Sequence, residues 1–194
     1  MRYPTGHKQA VRARILEAAA EELRRQGLSG IGIPALMKRA GLTHGAFYAH
    51  FPNRDALVAE AIRAASASSV DGPLAESLPL EQTLALYLSP DHLAHPERGC
   101  VIAALGGEGA RQPAPVRQAF AAAARGLLAL IDRKLHPRQP SPVPSDGALR
   151  LVSSMVGAVL LARLVDDPVL ARRLLDAAVP PLDSGAVGSA QARD

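Results

Sequence analysis

The sequence predicts an all-α protein. Alanine and leucine dominate its apolar residues, while aromatic residues make up only 3% and tryptophan is absent. Apolar side chains recur at steps of three and four, the repeat that lines one face of a helix. Glycines and prolines fall between these stretches, where helices end and begin. About nine helices fit this punctuation. They divide into an N-terminal three-helix domain at 8–53 and a larger helical domain at 54–180, and residues 181–194, rich in Gly, Ala and Ser, read as a disordered tail.

The first helix is expected from Lys8, after a short arm interrupted by Pro4 and Gly6. Val11, Ile15, Ala18, Ala19 and Leu23 form its stripe, Gly27 ends it, and Lys8, Arg12 and Arg14 cluster near its start. In the second helix Ile33, Leu36, Met37 and Ala40 share a face that excludes Lys38 and Arg39. Gly41 stops it, because glycine enters the left-handed conformation without a Cβ penalty. Thr43 then opens a third helix, with its hydroxyl expected to cap a free backbone N–H. Two helices joined by so short a turn form a helix-turn-helix, whose second helix can enter the DNA major groove.

The third helix, His44 to His50, has the composition of a reading element. Gly45 and Ala46 allow close backbone approach, and Phe47 and Phe51 at i and i+4 can pack inward together. His44, Tyr48 and His50 point elsewhere, carrying donors and acceptors suited to phosphate oxygens and base edges. The run from Thr43 to Phe51, followed by Asn53-Arg54-Asp55-Ala56-Leu57, resembles the DNA-binding signature of TetR-family transcriptional regulators. The resemblance implies that Thr43, His44, Gly45 and Ala46 meet bases and phosphates, and that Tyr48 and His50 grip phosphates. It puts Arg54 where a lysine is usual and gives Arg14 a role towards the DNA backbone. The chain departs from the family at Gly32, where a Ser or Thr often caps the preceding helix; Pro34 follows two residues later.

A longer helix is expected over Arg54 to Ser69, joining reader to sensor. Asp71-Gly72-Pro73 then marks a loop. Leu80 to Leu88 reads as a helix, Asp91 to Gly99 as a bend, and Cys100 to Gly107 as a short apolar helix weakened by glycine. Pro113 starts a long core helix bearing Val116, Phe120, Ala123, Leu127, Ile131 and Leu135. Four prolines between His136 and Ser145 make a stiff linker. Asp146 to Val165 and the segment from Asp167-Pro168 to Ala178 form the last two helices before Pro180-Pro181.

The resemblance implies that the second domain binds a ligand and dimerises. Helices within 146–180 would pair with those of a second copy, so that two-fold symmetry matches a palindromic double-stranded DNA operator. It also implies a cavity for a small-molecule effector, lined by some of Leu84, Tyr87, Leu88, Cys100, Leu105, Phe120, Leu127 and Met155. The scarcity of charge and aromatics here favours a small, largely apolar compound. On this reading the chain is a homodimeric repressor released from its operator by ligand. The alternatives are an electrophile- or redox-sensing regulator using Cys100, a DNA-binding protein without a ligand, and an enzyme.

Charge and cysteine usage agree with a cytoplasmic DNA-binding regulator. Residues 1–64 hold ten Lys or Arg against five Asp or Glu, whereas 65–194 hold twelve against thirteen. The positive excess lies with the helix-turn-helix, where it favours salt-dependent DNA binding. Cys100 is the single cysteine, which excludes an intramolecular disulfide framework. No signal region or uninterrupted apolar run of roughly 18 residues is present, so no membrane partner is expected. His92, His95 and Cys100 supply nucleophile or metal-ligand types without a recognised spacing. A glycine-rich phosphate loop, a zinc-protease signature and a serine elbow are absent. No cofactor is expected.

Overall fold

The computed structural model describes residues 5–30, 32–68, 72–139 and 141–179, so the 181–194 tail and the first four residues of the expected arm lie outside the described residues, while Thr5, Gly6 and His7, expected in that arm, already belong to the first helix. The described residues form nine α-helices and no strand. In chain order these are α1 (Thr5–Gln26), α2 (Ile33–Arg39), α3 (Arg54–Ser68), α4 (Leu80–Tyr87), α5 (Pro90–Ala94), α6 (Val101–Gly109), α7 (Ala114–Leu135), α8 (Asp146–Leu164) and α9 (Pro168–Ala177). Short 3-10 helices cover His44–Ala49 and Pro96–Arg98.

Two of these boundaries depend on glycine backbone. Gly27 and Gly41 have φ of 83° and 71°, a region that disfavours a Cβ, and each turns the chain out of a helix. Prolines open α5, α7 and α9 near their first turns, where the missing N–H has no intrahelical acceptor to lose. Ser145 and Asp167 cap α8 and α9 by accepting from backbone N–H groups at Ala148 and at Val169 and Leu170. The expected bend over 91–99 is instead the short α5 followed by a 3-10 turn, because Ser89 caps it by accepting from His92 N.

The core has two parts. The first gathers Ile15, Ala19 and Leu23 of α1, Leu36 and Met37 of α2, Phe47, Phe51, and Leu57, Val58 and Ile62 of α3. It continues into α6 and the first half of α7. The second joins Tyr87, Leu127, Ile131, Met155, Val159 and Leu175 among α4 and α6 to α9. The apolar face of α3 therefore packs in the same core as α1 and α2. Helix α8 has the length and apolarity of a membrane span. Its Leu151, Val152, Met155 and Val159 are buried in protein, however, as in the core helix of a folded domain.

Candidate functional site

The segment His44–Ala49 stands on a base that the sequence specifies. Phe47 and Phe51 are almost fully buried, with ring centroids 5.8 Å apart and near-parallel planes. Burying both fixes which side of the segment faces inward. Ala46 packs partly against the same core, while Thr43, His44, Gly45 and Tyr48 face solvent. Tyr48 is 65% exposed, yet its ring meets Phe47 edge-on at 5.1 Å and His44 at 6.0 Å. A Cβ added at Gly45 would meet nothing within 4 Å, so the backbone here is open to a partner.

Two local expectations are corrected. The segment is a 3-10 helix rather than an α-helix, held by Ala46 N–H to Thr43 O and His50 N–H to Phe47 O. Thr43 takes the extended backbone of an N-cap, but its hydroxyl caps nothing and remains exposed. The tighter 3-10 turn bonds i to i+3, so the first N–H groups lie differently from those of an α-helical first turn. Gly32 starts α2 without a side-chain cap.

The two arginines singled out from the sequence turn towards the protein. Arg14 donates to the Ala40 carbonyl at 2.7 Å and so ties α1 to the end of α2. Arg54 donates to the Leu28 carbonyl and clamps the α1–α2 turn. Both position the reader, and their guanidiniums are engaged with backbone. A second tie was not legible in the sequence. Buried Glu22 accepts from Arg25 at 3.0 Å and pairs with Arg39 at 2.8 Å, again linking α1 to α2.

At the end of the segment, His50 meets the basic face of α1. Burial is the main cause holding its pKa below the usual 6.5, with Lys8 and Arg12 acting in the same direction. Its Nδ1 is buried without a hydrogen-bond partner. The Arg12 guanidinium lies 4.7 Å from the centroid of the Phe51 ring and pairs with Glu60 of α3. The i, i+4 spacing of Lys8 and Arg12 was the sequence signal for this cluster. The Thr43 and Tyr48 side chains and the His44 imidazole are thus exposed, with half-buried His50 and the Lys8 and Arg12 cations at one end, a donor set suited to phosphates and base edges.

A cavity of about 380 Å³ lies behind this domain. Arg63, Ser66 and Ala67 of α3 form one wall, and Ala123, Gly126, Leu127, Leu130 and Arg133 of α7 form the opposite one. Leu74 and Glu76 flank it, and Cys100, Val101 and Ile102 at the start of α6 complete it. Of the residues named from the sequence, Cys100 and Leu127 line this space. Leu84, Tyr87, Leu88 and Met155 are packed in the second core cluster and Leu105 in the first, while Phe120 borders a separate depression between α6 and α7.

His92 and Cys100 do come together, although not as a nucleophile and base. His92 Nε2 accepts from the Cys100 backbone N–H at 3.0 Å, and its Nδ1 lies 2.5 Å from the Tyr87 carbonyl, to which it donates. His95 is on the surface beside Asp91 and Glu97. No group of three His, Cys, Asp or Glu side chains among the described residues could hold a metal.

Residues 15–61 match the model of the tetR family of bacterial regulatory proteins. The fold is similar to that of reduced NemR from Escherichia coli, with TM-score 0.70 and 22% identity over 87% of this chain and 93% of that one. A TetR-family transcriptional regulator from Agrobacterium tumefaciens gives 0.65 and 21%, covering 88% and 98% of the two chains. A TetR transcriptional regulator from Chloroflexus aurantiacus gives 0.66 and 23%, covering 90% and 92%. None of the curated proteins matches the chain.

Proposed function

We propose that this chain, which carries the N-terminal domain of the tetR family at residues 15–61 and the fold of TetR-type regulators over most of its length, is a homodimeric transcriptional repressor released from a palindromic operator by a small molecule. The observation that carries the reading is the exposed Thr43–Tyr48 edge, set on the buried Phe47 and Phe51 rings and flanked by Lys8 and Arg12. DNA is the partner that this chemistry fits. Backbone contacts from the cations supply affinity, while Thr43, His44, Gly45 and Ala46 approach the bases. A regulator of this kind works in the cytoplasm and performs no catalysis.

Two further features support dimerisation and release. Leu160, Leu161 and Leu164 of α8 and Val169 and Leu170 of α9 are all at least 40% exposed. An apolar patch shared by two neighbouring helices fits a second copy of the same patch. Helix α3 begins at Arg54, directly after the reader, and presents Arg63 and Ser66 to the cavity. A ligand seated there acts on α3, and it releases DNA to the extent that it binds the DNA-incompetent state more tightly.

The test is selection of bound fragments from the source genome by the purified protein, followed by titration of the enriched sequence at several salt concentrations. A palindrome whose affinity falls steeply with salt is expected. No enrichment at low salt would overturn the reading. A second mode of release is favoured by one observation, the presence of Cys100 among the residues of the cavity wall. On that reading an electrophile modifies Cys100, and Cys100→Ala keeps operator binding while losing release by the electrophile.

A further inference from the structure

We infer that the cavity between α3 and α7 is a binding site for an amphipathic organic anion, an aliphatic body ending in a carboxylate. This rests on the proposed effector site and names the chemistry of its ligand. The size comes first. A space of about 380 Å³ takes on the order of a dozen non-hydrogen atoms, at about 30 Å³ each as for water in the liquid. The interior wall is apolar, with Leu74, Val101, Leu127 and Leu130 among its residues. Such a lining favours an unbranched or compact hydrocarbon over a polar body.

The charges set the sign of the head group. Arg63 and Arg133 stand on the two helices, and Glu76 is the only acidic residue of the lining among the described residues. Glu76 is already matched, because Arg133 donates to its Oε1 at 2.6 Å. Arg63 is exposed and makes no hydrogen bond or ion pair among the described residues. A ligand cation would meet net positive charge at the site, and a neutral head would leave Arg63 unmatched. A carboxylate, by contrast, can accept from the guanidinium in two-pronged geometry, with the Ser66 hydroxyl on the same wall. Covering the site with hydrocarbon lowers the local dielectric and strengthens that pairing.

Gly126 supplies an independent probe. It lines the cavity, and a Cβ built on it meets nothing within 4 Å, so a side chain there starts from open space. The experiment is calorimetric titration of the full chain with octanoate, 1-octanol and octylamine. Octanoate is expected to bind at least tenfold more tightly than either of the others. Arg63→Gln should weaken octanoate about tenfold and leave 1-octanol unchanged, the loss of one charge-assisted contact. Gly126→Phe should remove octanoate binding while circular dichroism stays that of the parent. Equal affinity for the three compounds, indifference to Arg63→Gln, or no octanoate binding at millimolar concentration would each overturn the proposal. Operator affinity without ligand, measured by anisotropy on the same preparation, tests the regulator reading separately. A protein that binds its operator but not octanoate refutes this inference alone.

Discussion

Tyr48 rests its ring edge on buried Phe47 and holds its hydroxyl out in solvent. In the proposed complex with DNA the ring fixes the position and the hydroxyl makes the contact, so the two roles separate in Tyr48→Phe. Losing a hydrogen bond to a charged phosphate costs about 1.5–3 kcal/mol, a tenfold or greater fall in operator affinity. Thermal stability should hardly move, because the hydroxyl has no hydrogen-bond partner among the described residues and its residue is 65% exposed. Unchanged affinity in an anisotropy titration would take Tyr48 out of the interface. His92 carries a residue-scale prediction of the opposite kind, on stability rather than binding. Burial depresses its pKa below 6.5, outweighing the Tyr87 carbonyl that raises it, and Arg163 adds to the depression while Asp91 opposes it. The neutral ring can accept from Cys100 N–H, and the protonated ring cannot. Since the unfolded chain binds the proton more readily, this contribution is present above about pH 6.5 and is lost as pH falls through the window below it. Asp132, held below its usual 3.8 by Ser145, acts in the same direction only at lower pH. Urea midpoints at pH 7.5 and 5.5 should therefore differ less in His92→Gln than in the parent. Equal differences would show that the ring titrates freely.

At the level of elements, the turn after α1 is joined to α6 by one carboxylate. Glu108 accepts from Leu28 N–H at 3.1 Å, and its Oε1 would lie 2.9 Å from a Cβ at Gly27. Leu28 also receives Arg54 on its carbonyl, so both backbone groups of this residue are held from outside its own turn. Glu108→Ala leaves a partly buried N–H unmet and is expected to cost about 1–2 kcal/mol. Glu108→Gln, which retains an acceptor oxygen, should cost less. Matching urea midpoints for parent and alanine variant would rule out the tie. Contacts of this type explain what could be read from sequence. Helix limits set by Gly27, Gly41, Pro113 and Asp167-Pro168 were legible, because the controlling group lies within a residue or two of the boundary. The inward rings of Phe47 and Phe51 were legible from their spacing. Arg14 and Arg54 each reach a carbonyl 26 residues away, and local patterning carries no information on that choice. The cavity was less legible still, since its walls come from α3 and α7 and depend on how the helices pack. Leu84, Tyr87 and Met155 have the residue types of a pocket lining and are nevertheless core.

For the whole molecule, the question is how the charged reader and the apolar far end act together. The positive excess belongs to residues 1–64, whereas the exposed leucines and valines are concentrated on α8 and α9. Reader and patch are therefore distinct surfaces, and a change in one should reach the other only through assembly. Leu161 and Leu164 are 50% and 72% exposed and lie at i, i+3 on α8. In a single protomer a carboxylate at either position stays in water, and an exposed substitution of this kind shifts stability by roughly 0.5 kcal/mol or less. In the proposed dimer, the same carboxylate is desolvated against the partner's apolar side chains without a cation nearby, and its two-fold copy is buried with it. That cost is several kcal/mol, enough to separate the protomers. Light scattering on Leu161→Asp/Leu164→Asp should thus give half the parent's mass, with helical circular dichroism retained. Operator affinity should drop by orders of magnitude, because the second half-site contact is no longer intramolecular. Binding to a single half-site should fall much less. A variant that keeps both the parent's mass and its operator affinity would exclude this patch as the assembly surface, while leaving the Tyr48 edge free to read DNA through some other arrangement of the two copies.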